Sequence, residues 1–338
     1  MKKINTIASL FLGAMLLLSF GACKEGEKQK YSPKSIGAIN ALTVVMDTDL
    51  WKGEAGDKVR EHFAAPIVGM PWQEPLFTIN HVPASVFTGA IQKTRSVLFV
   101  TKDTISAAYL SPDVYAAPQQ VGVVKGNNVQ EIIKNIGKSA DEMIKAFKDL
   151  EIVETQKRFK RSLLKDQTLT DKFGITLDIP SAYIVGAQAD NFVWIDRAIP
   201  KGTMNIIAYT MPLNSFQTDS TFVKDIIKMR DSIGAVNIPG EDIAGKKNHM
   251  ITGKDFAPHV YPAEIAGKKA VEVRSTWEMS DYPMAGPFLT YIINDPEHNR
   301  KMVVEGFVFA PATNKRDNMF ELEAIMKTID FNEEVTKE

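Results

Sequence analysis

The side chains that could carry chemistry are few and scattered. Five histidines, His62, His81, His249, His259 and His298, offer metal ligands or bases, but no two stand in the HExxH spacing that puts both on one helix face. His249, Asp255 and His259 fall within one loop region and could approach a metal; solvated loop histidines are the plainer reading, and no metal is expected. A serine nucleophile would call for a G-x-S-x-G elbow, and the chain has none. It also lacks G-x-G-x-x-G and the phosphate-binding P-loop, so no catalytic residue is assigned and no cofactor is expected. Glu74, between Gln73 and Pro75, could act as a general acid, although no second carboxylate is fixed beside it. Trp51 and Trp72 sit in turn-rich stretches and Trp277 in a strand that also carries Arg274, and large rings there suit either stacking on a sugar or peptide or core packing. Trp51, Trp72, Glu74 and Trp277 are therefore the candidate ligand-binding residues.

One further residue carries chemistry of another kind. Cys23 is the single cysteine, so no disulfide can form, and it follows Lys2, Lys3, an apolar run from Ile7 to Leu18, and the small residues Gly21 and Ala22. That run falls short of the ~20 residues a spanning helix needs. The layout is that of a signal peptide over residues 1–22, and it resembles the lipobox of bacterial lipoproteins, with Phe20 where an aliphatic is usual. The resemblance implies that Cys23 is acylated and anchors the protein in the cell envelope, at the outer membrane on its periplasmic or surface face. An ordinary secretory cut after Ala22 is the alternative, and it would leave an exposed thiol in an oxidising compartment. The charged stretch from Lys24 to Lys30 reads as a solvated tether, within residues 23–35.

The elements that must position these residues follow from composition and periodicity. With 338 residues, 44% hydrophobic and 24% charged, the chain has the makings of a real core, and a net charge of -1 argues against a nucleic-acid partner. Short β-branched runs at Ala41–Met46, Leu76–Val82, Ser96–Thr101 and Val121–Lys125 read as strands, and Asp49–Gly53 as a turn before a helix from Glu54 to Phe63. Val129, Ile132, Ile133, Ile136, Met143, Ile144, Phe147 and Leu150 then mark one face of a long amphipathic helix capped by Asn127 or Asn128, with Gly137 a point of interruption. Its basic end, Lys157 to Arg161, suits an anionic surface or a solvated terminus.

The polar stretch 165–172 divides an N-terminal α/β domain (36–164) from a C-terminal α+β sandwich (165–332), and limited proteolysis is expected to cut between Lys160 and Lys172. Strands at Phe192–Asp196, Met204–Thr210 and Lys269–Met279, a hairpin of Phe288–Ile293 with Met302–Phe309, and helices at Thr221–Ile233 and Asn318–Ile329 complete an α+β fold of two α/β subdomains, the second mostly antiparallel.

The stretches WKGEAGDKVREHF, MPWQEPLF and MAGPFLTYIINDPEHNRKMVVEGFVFAP resemble an uncharacterised Bacteroidota lipoprotein family catalogued as a domain of unknown function. The second half is also loosely similar to PsbP/Mog1-type sandwiches. The first resemblance implies an envelope lipoprotein and the second an accessory or binding role. The expected function is thus non-catalytic binding or assembly work, with the membrane engaged through lipid on Cys23 and an envelope protein or glycan as partner. The alternative is an unrecognised envelope hydrolase acting on glycans or peptides, which would need polar groups converging in a pocket between the halves.

Overall fold

The computed structural model describes residues 32–216 and 220–331. The expected signal segment, Cys23 and most of the expected tether lie outside the described residues. No helix among the described residues is long and apolar enough to cross a membrane.

The first half is a five-stranded sheet in the order β2-β1-β3-β5-β4, from β1 (Ala41–Met46), β2 (Thr78–Val82), β3 (Ser96–Lys102), β4 (Ala107–Pro112) and β5 (Gln120–Gly126). The strands β2, β1, β3 and β5 run parallel, while β4 returns antiparallel to β5. Parallel strands are covered on both faces, which is why β1 and β3 read as continuous apolar runs rather than alternating ones. One face packs on α2 (Glu54–Phe63) and on α3 (Val129–Phe159) through Val59, Phe63, Ile136, Met143 and Phe147. The opposite face carries Phe87 and a smaller cluster with Val45, Val97 and Val121.

The 31-residue helix α3 is the spine, roughly 46 Å long at 1.5 Å per residue. Asn128 caps it, its Oδ1 accepting from the Glu131 N–H at 3.0 Å, and the Glu131 carboxylate returns to the N–H of Asn127 at 2.9 Å. The expected interruption at Gly137 does not occur, because one glycine costs only ~1 kcal/mol and the apolar face on either side is fully buried. Likewise the expected turn at Asp49–Gly53 is mostly a short helix, α1 (Thr48–Lys52), whose Leu50 is buried in the same core. The last turns of α3 leave that core: Phe159 belongs to the core of the second half.

The second half is an antiparallel sheet in the order β10-β12-β13-β14-β9-β8-β7, with β11 also paired to β12. Its strands are β7 (Ile184–Ala189), β8 (Phe192–Ile199), β9 (Gly202–Pro212), β10 (Met250–Thr252), β11 (His259–Ile265), β12 (Lys268–Met279), β13 (Ala285–Asp295) and β14 (Arg300–Phe309). A small pair, β6 (Ile175–Thr176) with β15 (Asp330–Phe331), lies beside it. The hairpin expected from sequence is β13–β14, closed by a turn in which Asn299 takes a left-handed conformation at φ 51°. Period-two alternation gives this sheet two buried faces. Leu289, Tyr291 and Ile293 face the core that holds α4 (Thr168–Phe173) and α6 (Arg316–Met326), while Phe288 and Ile292 face α5 (Phe222–Asn237). On the α5 face, Glu305 and Arg230, 0% and 4% exposed, form an ion pair at 2.7 Å, with Thr290 donating to Glu305. The described residues of both halves belong to one compact unit that begins at Lys34.

Candidate functional site

Where α3 and α6 meet the edge of the second sheet, a cleft of about 310 Å³ opens between the halves. That is the small end of the range of about 300–1,000 Å³ usual for ligand pockets. Three parts of the fold build it. The loop before β2 supplies Ile67 to Met70 and Leu76, the helices supply Lys148, Ile152, Met319 and Phe320, and the sheet supplies Arg274, Pro287 and Phe288.

The loop is seated by a glycine. Gly69 has φ +81°, and a Cβ there would stand 2.9 Å from the Cβ of Arg274, so only glycine lets this backbone lie on β12. The helix α6 is seated by Glu74. Lys315, at the N-cap position, offers no side-chain cap, and the Glu74 carboxylate takes its place. It accepts from the N–H of Lys315 at 2.8 and 3.0 Å and from the N–H of Arg316 at 2.8 Å. Arg316 then reaches back to the first half, donating to the Pro75 carbonyl and the Thr78 hydroxyl. Gly306 of β14 allows α6 its close approach, since a Cβ there would lie 2.9 Å from Leu322 Cβ.

The walls are mainly apolar, and the charges are organised. Four cations line the cleft, Lys148, Arg274, Arg316 and Lys327, against two carboxylates, Asp149 and Glu323. Arg274 donates to Glu272 at 2.5 Å and to Glu323 at 2.9 Å; burial works against its charge, but the two carboxylates outweigh it and raise its pKa. Glu323 also accepts from Lys327 at 2.6 Å. Burial favours its neutral form, yet Arg274 and Lys327 hold the carboxyl down at about 2. Arg316 pairs with Asp317. Lys148 is different: its Nζ donates to Asn40 Oδ1 at 2.7 Å and to the Leu76 carbonyl at 2.8 Å, both uncharged, and lies 4.5 Å from the centre of the Phe77 ring. Desolvation pulls its pKa down to about 7.

The residues singled out from sequence lie elsewhere. Trp72 and Glu74 are brought together around Lys315, whose Nζ stands 3.4 Å from the centre of the half-exposed Trp72 ring. Trp51 stacks on His81 with centroids 4.6 Å apart and carries the Arg60 guanidinium at 4.4 Å. Trp277 is 1% exposed, its Nε1 donating to the Val308 carbonyl and its ring packed on Phe307 and Phe309. None of these four, nor His259, lines the cleft. The basic end of α3 is partnered at Lys157 by Glu154 and at Lys160 by Asp178.

Among the described residues the side chains with metal-ligand spacing are Asp295, Glu297 and His298, not His249, Asp255 and His259. Asp295 is already engaged by Arg300, His298 and Lys268. Sequence reading missed the cleft because its cations come from three separate segments, α3, β12 and α6. Arg274 within a half-buried strand and Lys148 beside the apolar face of an amphipathic helix were the available signals.

No curated protein matches the chain. Among solved structures it shows a likeness to human StAR-related lipid transfer protein 5, at 7% identity, over 52% of this chain and 92% of that one, with a TM-score of 0.23. A score that low carries no argument about fold or ligand. Family models match both halves, each described as a domain of unknown function, and they meet between residues 160 and 162, where α3 has ended. The chain is thus a protein of two domains of unknown function, DUF8532 over residues 35–160 and DUF4837 over residues 162–328.

Proposed function

We propose that this protein is an envelope lipoprotein, anchored through Cys23, that binds a ligand in the cleft between its halves and performs no chemistry on it. The observation that carries the binding reading is the cleft itself: apolar walls with a few fixed polar groups, built by three parts of the fold that are locked together by Glu74 and Gly69. Among the described residues lining it there is no serine, threonine, cysteine or histidine. Glu323 is held ionised by Arg274 and Lys327, a poor starting point for a general acid or base near neutral pH. Support for the anchor comes from the position of Cys23 after Gly21 and Ala22.

A thermal-unfolding screen of the full-length protein against small molecules tests the binding reading, beside Met70→Trp, which fills the cleft. Ligands of this site raise the melting temperature of the wild type and not of the variant. Compounds that stabilise both equally, or that the protein converts to product, would overturn it.

A further inference from the structure

We infer that the cleft takes an amphiphilic organic anion, its acidic head against the ammonium of Lys148 and its hydrocarbon body on Met70, Ile152, Met319 and Phe320. The inference rests on the cleft being a ligand site and adds the class of ligand. Its ground is an imbalance of charge. Each of the other lining cations already meets a carboxylate: Arg274 and Lys327 meet Glu323, and Arg316 meets Asp317. Lys148 meets none within bonding distance among the described residues, and its two partners are a side-chain amide and a backbone carbonyl. An ammonium has three donors, so one is left for an incoming acceptor.

A buried charge without a counter-ion is costly, and a ligand carboxylate or phosphate would remove that cost. The surrounding charges do not supply it. Glu323 and Asp317 on α6 favour the ammonium, Arg316 on α6 and Arg274 on β12 oppose it, and Glu151, one turn along α3, is committed to Arg95 at 2.8 Å. The apolar wall beside this donor excludes small inorganic anions as the best fit, because it would stay wet and unfilled around them.

Binding should therefore be tied to a proton. In the free protein the Lys148 ammonium gives up its proton as the pH rises through about 7. An anion beside it favours the charged form, so binding draws a proton in and weakens as the pH climbs.

Titration calorimetry of the full-length protein with decanoate, decyl phosphate, decanol and decylammonium tests this. Both anions are expected to bind at least about tenfold tighter than decanol, and the tighter of the two identifies the head group. Decanoate affinity is expected to fall several-fold or more between about pH 7 and about pH 9, with proton uptake seen as a dependence of the heat on buffer. Lys148→Met should remove the pH dependence and bring the anions level with decanol. The comparison of head groups and the pH series on the wild type need no variant, so a misfolded Lys148→Met leaves the test intact. Decanol or decylammonium binding as tightly as decanoate would overturn the inference while leaving an apolar ligand site. Decanoate affinity that ignores pH, or no binding by any probe, would overturn it as well.

Discussion

The carboxylate of Glu74 holds the backbone N–H of Lys315 at 2.8 and 3.0 Å, joining segments 241 residues apart. It does for α6 what a local serine or aspartate does for other helices, and in doing so it fixes α6 against the first half. The cleft exists because this joint exists. Glu74→Ala is expected to lower unfolding stability by about 2 kcal/mol, since it strands buried N–H groups, and Glu74→Gln by about half of that because one acceptor remains. Urea unfolding followed by tryptophan fluorescence measures both; equal stability of all three proteins would contradict the role.

Gly69→Ala tests the other seat of the loop. The positive φ and the 2.9 Å approach to Arg274 both penalise a methyl group. The expected loss is about 1–3 kcal/mol, together with weaker ligand binding, because Met70 moves with the loop. Gly137→Ala in α3 is the control: a Cβ there meets only the end of Lys58 at 3.7 Å, and helix propensity favours the change by about 1 kcal/mol.

How much of this was legible in the sequence depends on the range of the interactions involved. The long helix, the β13–β14 hairpin and the strands β1, β3 and β5 announce themselves through periodicity, since each is decided by its own burial pattern. The parallel order of the first sheet does not, because nothing local says that β3 lies between β1 and β5. β10 and β11 were hidden too: their stretches are short or mostly exposed, and their strand character comes from pairing with β12. From sequence, Glu74 reads as a candidate general acid or ligand contact and Trp277 as a candidate contact. One is buried by a helix end from the far part of the chain, the other by Phe307 and Phe309 of β14, and no sequence window contains both partners.

The Glu323 cluster sets an acid limb. Its folded pKa of about 2 lies below the ordinary 4.5, so its stabilisation is complete above about pH 4.5 and is lost as the pH falls toward 2. The whole span is worth up to about 3 kcal/mol. Unfolding free energies of wild type and Glu323→Gln measured across that window should converge as the pH drops; a constant difference would contradict the pairing with Arg274 and Lys327.

Lys148 acts in the opposite direction of pH. Its folded pKa of about 7 lies below the ordinary 10.5, so the ammonium weakens the folded state most below 7, and stability rises as the pH climbs from 7 toward 10.5. The difference between wild type and Lys148→Met isolates this contribution from that of other lysines. It should change in favour of the wild type over that window, the same window in which decanoate binding fades.

The buried pair Arg230–Glu305 is a matter of stability alone. Arg230→Met leaves a carboxylate with 0% exposure facing an apolar side chain, and a loss of about 3–5 kcal/mol is expected. Arg230→Met with Glu305→Leu should recover much of it, which denaturant unfolding of the two variants will show.

The anchor is tested apart from the cleft. Intact-mass analysis and membrane fractionation should find acyl chains on a protein beginning at Cys23, and both the added mass and the membrane attachment should vanish in Cys23→Ala. A soluble, unmodified chain cut after Ala22 would contradict the lipoprotein reading.

The most direct test of the ligand site is a crystal structure of the full-length protein grown with decanoate. Electron density for the decanoate hydrocarbon is expected along Met70, Ile152 and Phe320, with a carboxylate oxygen about 2.7–2.9 Å from Lys148 Nζ. Decanoate bound elsewhere on the molecule, with the cleft holding only water, would contradict it.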